Sequence, residues 1–452
     1  MYFLYSFLMG LAALVTAPYW IVQGLRRGKY FSSLADRLGF SVRELDKLPA
    51  ARPGAIWIHA VSVGEALAGM TLAKRLKDAN PQRPLIISTT TLTGNALARE
   101  RFPFADAIIY FPFDWAFCVK RVMKRVRPAI VIVLETEIWP NFLRIAGERE
   151  VPVVFISGRI SDKSFTRYQK FFAWFGFYLR PFLKSTLSRA VEFLMQTQQD
   201  ADRIKLLGAP AAIVCVSGNL KYDMELPKPT PLSMWLEIEC KRLGRHPIIV
   251  AGSVVATEEP LALIAFGVAQ GDFQNSLLVL APRKPERFAA AAAFIDESHR
   301  KFIRRSQLAV PGPSITGDSG LNQIPTDVNV LLLDSIGELA SLYQLADGVF
   351  VGGSLVPAGG HNILEPAAFG KVPVFGDSME NFADIASRFI EAGAAIQVGN
   401  PEDAGVELIH LLKDREKMQR MGEAARRLVE NSRGALDRAL AEINKYLGGA
   451  AQ

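Results

Sequence analysis

The chain predicts an α/β fold: two doubly wound, Rossmann-like domains facing across a cleft, behind an N-terminal membrane anchor helix. Three observations lead there. Short, continuous apolar runs alternate with helical stretches in two successive arrays, the pattern of parallel strands buried on both faces. A cluster of prolines, Pro227, Pro229 and Pro231, separates the arrays. Residues 1–23, MYFLYSFLMGLAALVTAPYWIVQ, contain no charged side chain. At 452 residues, half of them apolar, the chain is long enough for two cores.

The anchor occupies 1–24. Its uncharged run can span a bilayer, Tyr19 and Trp20 stand near its far end like interfacial anchors, and Arg26, Arg27 and Lys29 follow. This order places the rest of the chain in the cytoplasm. A cleaved signal peptide would carry its basic flank before the apolar run and a small-residue cleavage site after it. The retained helix either spans the membrane or lies deep in one leaflet.

The N-terminal domain, 25–226, takes its strands from Ala55–Val61, Leu85–Thr89, Ala107–Tyr110, Ala129–Leu134, Val153–Ile156, Phe193–Gln196 and Ile213–Val216. Residues 227–246 read as the linker. The C-terminal domain, 247–452, continues with Pro247–Ala251, Leu277–Leu280, Val330–Leu333, Gly348–Val351 and Val372–Phe375. Its last helix is a candidate to pack back on the first domain. One segment breaks the rhythm. Lys163–Leu187 interleaves nine aromatics with Lys163, Arg167, Lys170, Arg180 and Lys184 and has no acid. Such a helix suits a membrane interface or a lipid acceptor; a core helix with basic ends is the other reading.

The net charge of +7 suits anionic membranes or phosphorylated substrates. Its basic residues gather near aromatics and the anchor and form no stripe for nucleic acid. Cys118, Cys215 and Cys240 are scattered, which fits buried thiols in a reducing compartment. The five histidines show no metal spacing, so neither a catalytic metal nor a cofactor is expected.

Candidate chemistry lies where strands end. Val351–Ile385 begins as a strand, enters a turn with Gly352, Gly353, Gly359 and Gly360, and reaches a short helix opened by Asn362. Glu365 stands three residues on, as in a capping box, and Gly370 is placed to end the helix. Strand, glycine turn and helix N-terminus offer backbone N–H groups to an anion, and Glu365 can accept from vicinal sugar hydroxyls. Packing alone also explains such a turn. In Ile58–Leu67, Ser62 and Gly64 precede Glu65, a carboxylate able to take a proton from an acceptor hydroxyl or simply an acid favoured by the helix dipole. Glu135 and Glu137 follow another strand, ahead of Trp139 and Pro140, as cleft residues or solvated charges. Arg159 and Lys163 could meet an anionic substrate or water. Glu258 and Glu259 open a helix after Ala251–Ser253. Arg283 and Lys284 suit a phosphate and a carboxylate. His361 reads as structural.

SVGE (Ser62–Glu65), ETEIWPN (Glu135–Asn141), AGS (Ala251–Ser253), PRKPERF (Pro282–Phe288), GELASLY (Gly337–Tyr343) and GGSLVPAGGHNILEPAAFGKVPVFG (Gly352–Gly376) resemble, in order, the motifs of the 3-deoxy-D-manno-octulosonic acid (Kdo) transferases of lipopolysaccharide synthesis. The resemblance implies a GT-B glycosyltransferase at the cytoplasmic face of the inner membrane. It implies inverting, metal-independent transfer of Kdo from CMP-Kdo to the 6′-hydroxyl of a lipid A precursor, a tetra-acyl disaccharide bisphosphate. Glu65 would be the general base. Arg283, Lys284, Gly337, Glu338, Gly359, Gly360, Asn362, Glu365 and Asn381 would bind the donor. Ser62, Gly64, Glu137 and Arg159 would bind the acceptor.

Four places depart from the family pattern: Val255 and Thr257 replace a histidine and a glycine, Lys284 and Ala358 replace histidines, and Ile363 stands where proline is common. Another nucleotide sugar, such as a UDP-hexosamine, and a catalytically dead binder of anionic lipid are the alternatives.

Overall fold

The computed structural model describes residues 1–27, 33–40, 42–49, 52–61, 63–312 and 320–448, so Lys29 and Ser62 lie outside the described residues. The chain forms two compact units, Met1–Met224 with Ser432–Gln452, and Glu225–Asn431.

In the first unit the strands are β1 (Ala55–Ala60), β2 (Leu85–Thr89), β3 (Ala107–Tyr110), β4 (Pro128–Leu134), β5 (Val153–Gly158), β6 (Glu192–Met195) and β7 (Val214–Val216). They pair in parallel in the order β3-β2-β1-β4-β5-β6-β7. The order reverses between β1 and β4, the switch point where such sheets bind ligands beyond their strands' carboxyl ends. All six side chains of β1 are buried, and they alternate between two cores. Trp57 faces Phe111, Phe142, Val131 and Phe155 on one side. Ile56 and Ile58 face Leu72, Leu76, Ile132 and Ile443 on the other. Each such aliphatic side chain contributes about 1.5–3 kcal/mol on burial.

The closing helix, Ala435–Leu447, belongs to this unit. It buries Ala435, Leu436, Ala439, Ile443 and Leu447 in the second core. Asp223 holds its start by accepting from Gly434 N at 2.6 Å and Leu436 N at 2.8 Å. Residues after 431 are therefore not part of the second unit, as the domain span 247–452 had them.

In the second unit β8 (Ile248–Val254), β9 (Leu277–Pro282), β10 (Phe302–Arg304), β11 (Val330–Leu332), β12 (Gly348–Val351), β13 (Pro373–Phe375) and β14 (Ile396–Gln397) form a parallel sheet ordered β10-β11-β9-β8-β12-β13-β14. Its switch point lies between β8 and β12. The expected linker 227–246 is mostly helix, Pro231–Leu243. Thr230 and Ser233 form a capping box, Pro231 takes the first helical position, and Gly244 closes the end in the left-handed region. Prolines here start a helix instead of interrupting one. Glu239 ties it into the unit by accepting from Ile324 N at 2.9 Å.

Two helices remain apart from the sheets. Tyr2–Arg27 contains one stretch, Tyr2–Tyr19, long and apolar enough to cross a membrane. Asp162–Leu187 is kinked at Phe175, where φ is −128°. Its Phe165, Tyr168 and Phe172 pack on the first unit's core, while Trp174 and Phe177 are 83% and 85% exposed.

Candidate functional site

Two groups of side chains sit at the carboxyl ends of the strands, one in each unit. In the second unit β12 ends at Val351 and the chain turns at once. Gly352 passes so close to β8 that a Cβ would stand 2.7 Å from the Ser253 carbonyl oxygen. Gly353 has φ +71°, and a Cβ there would meet the His361 ring at 2.7 Å.

The backbone amides of this turn already hold an anion, and it is the protein's own. The buried Glu258 carboxylate accepts from Gly353 N, from Ser354 N at 3.0 Å, from Leu355 N at 2.9 Å and from Val255 N at 3.2 Å. The expectation that these first amides face a ligand is thereby corrected. Sequence reading saw Glu258 only as a helix opener, since its partners lie nearly a hundred residues on.

Beyond the turn, Gly359 N donates to Ser378 Oγ at 2.9 Å, and Asn381 N donates to the Gly359 carbonyl at 2.9 Å. Asn381 thus braces the glycine pair. The helix itself is Leu364–Ala368, beginning two residues after Asn362. Asn362 Oδ1 accepts from Leu364 N at 3.0 Å, and its amide donates to Glu365 Oε1 at 3.3 Å. The expected capping box is replaced by this Asn362–Glu365 contact, and Gly370 follows the helix at φ +69°.

Four further groups converge here. Burial raises the pKa of Glu365, while the Asn362 hydrogen bond and the Arg283 charge pull it back. Burial lowers His361 to about 4, and Arg283 adds to that, so the imidazole is neutral at physiological pH. Its Nε2 is buried without a partner. Tyr343 is fully buried, its pKa raised by burial and then by the Glu365 charge, and its hydroxyl lies over Gly252, where a Cβ would come within 2.0 Å. Arg283 is exposed and its backbone N donates to the Val254 carbonyl at 2.8 Å. A neutral donor or acceptor, a carboxyl and an exposed guanidinium together suit a sugar hydroxyl and a phosphate. His361 had read as structural and Tyr343 only as the end of the GELASLY motif; neither was named as a site residue.

Glu338 does not belong to this group. It is fully buried and takes Arg305 Nε at 2.9 Å and Nη2 at 3.0 Å, with the Ser335 hydroxyl also donating to it. Its expected donor contact is corrected to a structural ion pair, and Gly337, at φ +94°, shapes the turn before it. Lys284 is exposed one residue before the Pro285–Arg287 turn, and Arg287 pairs with buried Glu259 at 2.7 Å.

In the first unit Glu65 stands in the first turn of helix Val63–Ala79, whose backbone includes Gly64. Its Oε2 accepts from Val61 N at 2.7 Å, which fixes the carboxylate, and the residue is 7% exposed. Glu65, Leu134, Glu135, Ser157, Gln196 and Lys221 line a small pocket. Glu135, just after β4, and Ser157, one residue before the end of β5, have φ of +59° and +56°. Left-handed non-glycine residues cost of order 1–3 kcal/mol and gather at functional sites. Lys221 lies 4.0 Å from Glu135, and Ser157 Oγ accepts from Leu220 N at 2.9 Å.

Burial raises the pKa of Glu137, with the Glu135 charge adding to it, and Glu137 in turn raises Tyr168 on the aromatic helix, where burial is the larger cause. Arg159 is half-buried, and its N donates to Thr136 Oγ1 at 2.8 Å. The structure therefore brings Glu65, Glu135, Glu137 and Arg159 to one edge of the sheet. Among the described residues no three His, Cys, Asp or Glu side chains converge as metal ligands.

Comparison with known proteins agrees in both halves. Residues 32–224 match the family described as 3-deoxy-D-manno-octulosonic-acid transferase (kdotransferase), and 322–428 match glycosyl transferases group 1. The 3-deoxy-D-manno-octulosonic acid transferase of Haemophilus influenzae is 33% identical over 93% of this chain and 92% of its own length. That of Bordetella pertussis is 31% identical over 98% of both. A crystal structure of a UDP-N-acetylglucosamine 2-epimerase superposes with TM-score 0.51 at 14% identity, covering 89% of this chain and 98% of that one. At that identity the likeness speaks for the two-domain fold alone.

Proposed function

The chain belongs to the 3-deoxy-D-manno-octulosonic acid transferase family and is a Kdo transferase of GT-B architecture, and from that premise we propose that it moves Kdo from CMP-Kdo to the 6′-hydroxyl of a lipid A precursor at the cytoplasmic face of the inner membrane. The observation that carries the donor half is the meeting of Glu365, Asn362 and His361 with the charge of Arg283 at the β8/β12 switch point.

In the reaction the acceptor oxygen forms a bond to the anomeric carbon of Kdo as the bond from that carbon to the CMP phosphate oxygen breaks, with inversion. Glu65 takes the hydroxyl proton. Its hydrogen bond from Val61 N orients the carboxylate before the acceptor arrives. Arg283, with Lys284 beside it, offsets the charge that develops on the leaving phosphate. Glu365 holds ribose hydroxyls, and the Gly359–Gly360 turn braced by Asn381 encloses the nucleotide. Glu137, Arg159, Ser62 and Gly64 serve the acceptor side. The anionic membrane surface brings the acylated acceptor to the chain.

Offering the purified protein CMP-Kdo and a UDP-hexosamine in parallel, each with the tetra-acyl disaccharide bisphosphate, tests the donor. Product from CMP-Kdo alone is expected; product from the UDP-sugar would overturn the assignment.

A further inference from the structure

We propose that Tyr343 is a specificity-determining residue of the donor site: its phenol hydroxyl, standing over the end of β8, donates to the ribose hydroxyl whose proton Glu365 accepts. The inference rests on the donor reading above only in taking the ligand to be a nucleotide.

The hydroxyl stands at the switch point of the second sheet. There Gly252 of β8 pairs with Val351 on β12 and with Ala281 on β9. Strand β12 runs on into the glycine turn that leads to Glu365, and β9 runs on into Arg283. A Cβ at Gly252 would come within 2.0 Å of Tyr343 Oη and 3.3 Å of Leu339 Cδ2. Gly252 is not among the residues with positive φ, so what glycine supplies here is room for the hydroxyl and not backbone freedom. Ser253, next in the chain, is held at φ +58°, a strain of the kind that gathers at functional sites.

That hydroxyl lacks a partner where one is expected. Tyr343 is 1% exposed. No hydrogen bond reaches its Oη among the described residues; burial and the Glu365 charge alone account for its raised pKa. A buried phenol normally finds a partner, because leaving a polar group without one is costly. Phenylalanine would fill the same space without that cost, so the oxygen is spare until a ligand arrives.

The neighbours of the phenol define what it meets. The Tyr343–Leu345 turn packs against helix Leu364–Ala368, which carries Glu365. The Glu365 charge reaches the phenol, while Arg283 acts on Glu365 and His361. The hydroxyl therefore lies on the Glu365 side of the site, and a phosphate placed there would face the Glu365 carboxylate. An ionised carboxylate can only accept, so against a sugar hydroxyl it takes the proton and leaves the oxygen lone pairs unmet. A phenol beside it supplies the missing donor. Together the two groups complement a hydroxyl and disfavour a carbon that carries only hydrogen.

The tyrosine is held before the ligand comes. Glu338, at the head of the same segment, is locked by Arg305 at 2.9 and 3.0 Å and by the Ser335 hydroxyl. Ser341 Oγ donates to the Glu338 carbonyl at 2.7 Å and lies 2.9 Å from Thr230 Oγ1. A donor fixed in advance loses little freedom on binding.

Isothermal titration calorimetry of the full chain with CMP, 2′-deoxy-CMP and 3′-deoxy-CMP tests the contact. In the wild type at least one deoxy form should bind about tenfold more weakly than CMP, and equal binding of all three would refute the proposal. Tyr343→Phe should weaken CMP about tenfold and leave that deoxy form unchanged, so the gap narrows. An equal loss for CMP and both deoxy forms would make Tyr343 a packing residue, and unchanged CMP binding would give the hydroxyl to water; either result overturns the proposal. The urea midpoint of Tyr343→Phe should not fall, since no partner is lost in the free chain. A fall would place the partner inside the protein and count against the ribose. UDP and its 2′- and 3′-deoxy forms, titrated in parallel, keep the two readings apart. A chain that binds UDP and not CMP loses its CMP-Kdo donor, while the ribose contact is then read on the uridine nucleotides.

Discussion

Replacing Glu258 by glutamine leaves one buried and one partly buried backbone amide without an acceptor. Oε1 accepts from Ser354 N and Leu355 N, and Oε2 from Gly353 N and Val255 N. Glutamine has one acceptor oxygen, so in either orientation one pair of N–H groups faces its amide nitrogen. A buried polar group left unsatisfied costs about 1–3 kcal/mol, which sets the scale for Glu258→Gln, with a smaller addition from the partly buried amide. The turn from Gly352 to Leu355 leads to His361, Asn362 and Glu365, so the damage falls on the donor side. Urea unfolding read by tryptophan fluorescence, together with initial rates against CMP-Kdo at saturating acceptor, measures both effects. A lower unfolding midpoint and a raised KM for CMP-Kdo, with the acceptor KM unchanged, are expected. Wild-type stability and donor KM in this variant would refute the reasoning.

Thr257 occupies a left-handed conformation, φ +71°, where the family pattern has glycine. That conformation costs roughly 1–2 kcal/mol for a residue with a Cβ, and glycine loses about 0.5–1 kcal/mol of it through chain entropy, so Thr257→Gly should stabilise by about 1 kcal/mol; a lower urea midpoint would contradict this. Burial raises the Asp114 carboxyl from 3.8 to about 7, against the pull of its hydrogen bonds from Asn141, Phe142 and Tyr5. Between those values the folded chain binds the extra proton, so stability should fall as pH rises from about 4 to 7 and level above that. Asp114→Asn should abolish the fall in unfolding free energies measured from pH 4.5 to 8, and an unaltered slope would assign it to another group.

Strands buried on both faces were legible because the residues of runs such as Ala55–Ala60, His59 excepted, and Gly348–Val351 are apolar or small and their length excludes a helix. The edge strands β10 and β14 were not, being three and two residues long and carrying Arg304 and Gln397. Pro231 misled in the expected linker because proline serves equally to start a helix. In the site, strand-end placement pointed to Glu65, Arg283 and Glu365, which are local features of strand, turn and helix. What sequence could not show was pairing at a distance. Glu338 is engaged by Arg305, and Glu258 by amides past β12, and neither spacing is periodic. His361 looked structural by itself; its unpartnered Nε2 emerges only from burial.

The central claim is most directly tested by incubating the full chain with CMP-Kdo and the tetra-acyl disaccharide bisphosphate in the presence of EDTA and following product mass. The account predicts gains of one or more Kdo units, and a loss of roughly 10²–10⁴-fold in kcat when Glu65→Ala removes the base. Folded protein that transfers nothing from CMP-Kdo, or a Glu65→Ala variant that transfers at the unaltered rate, would contradict it.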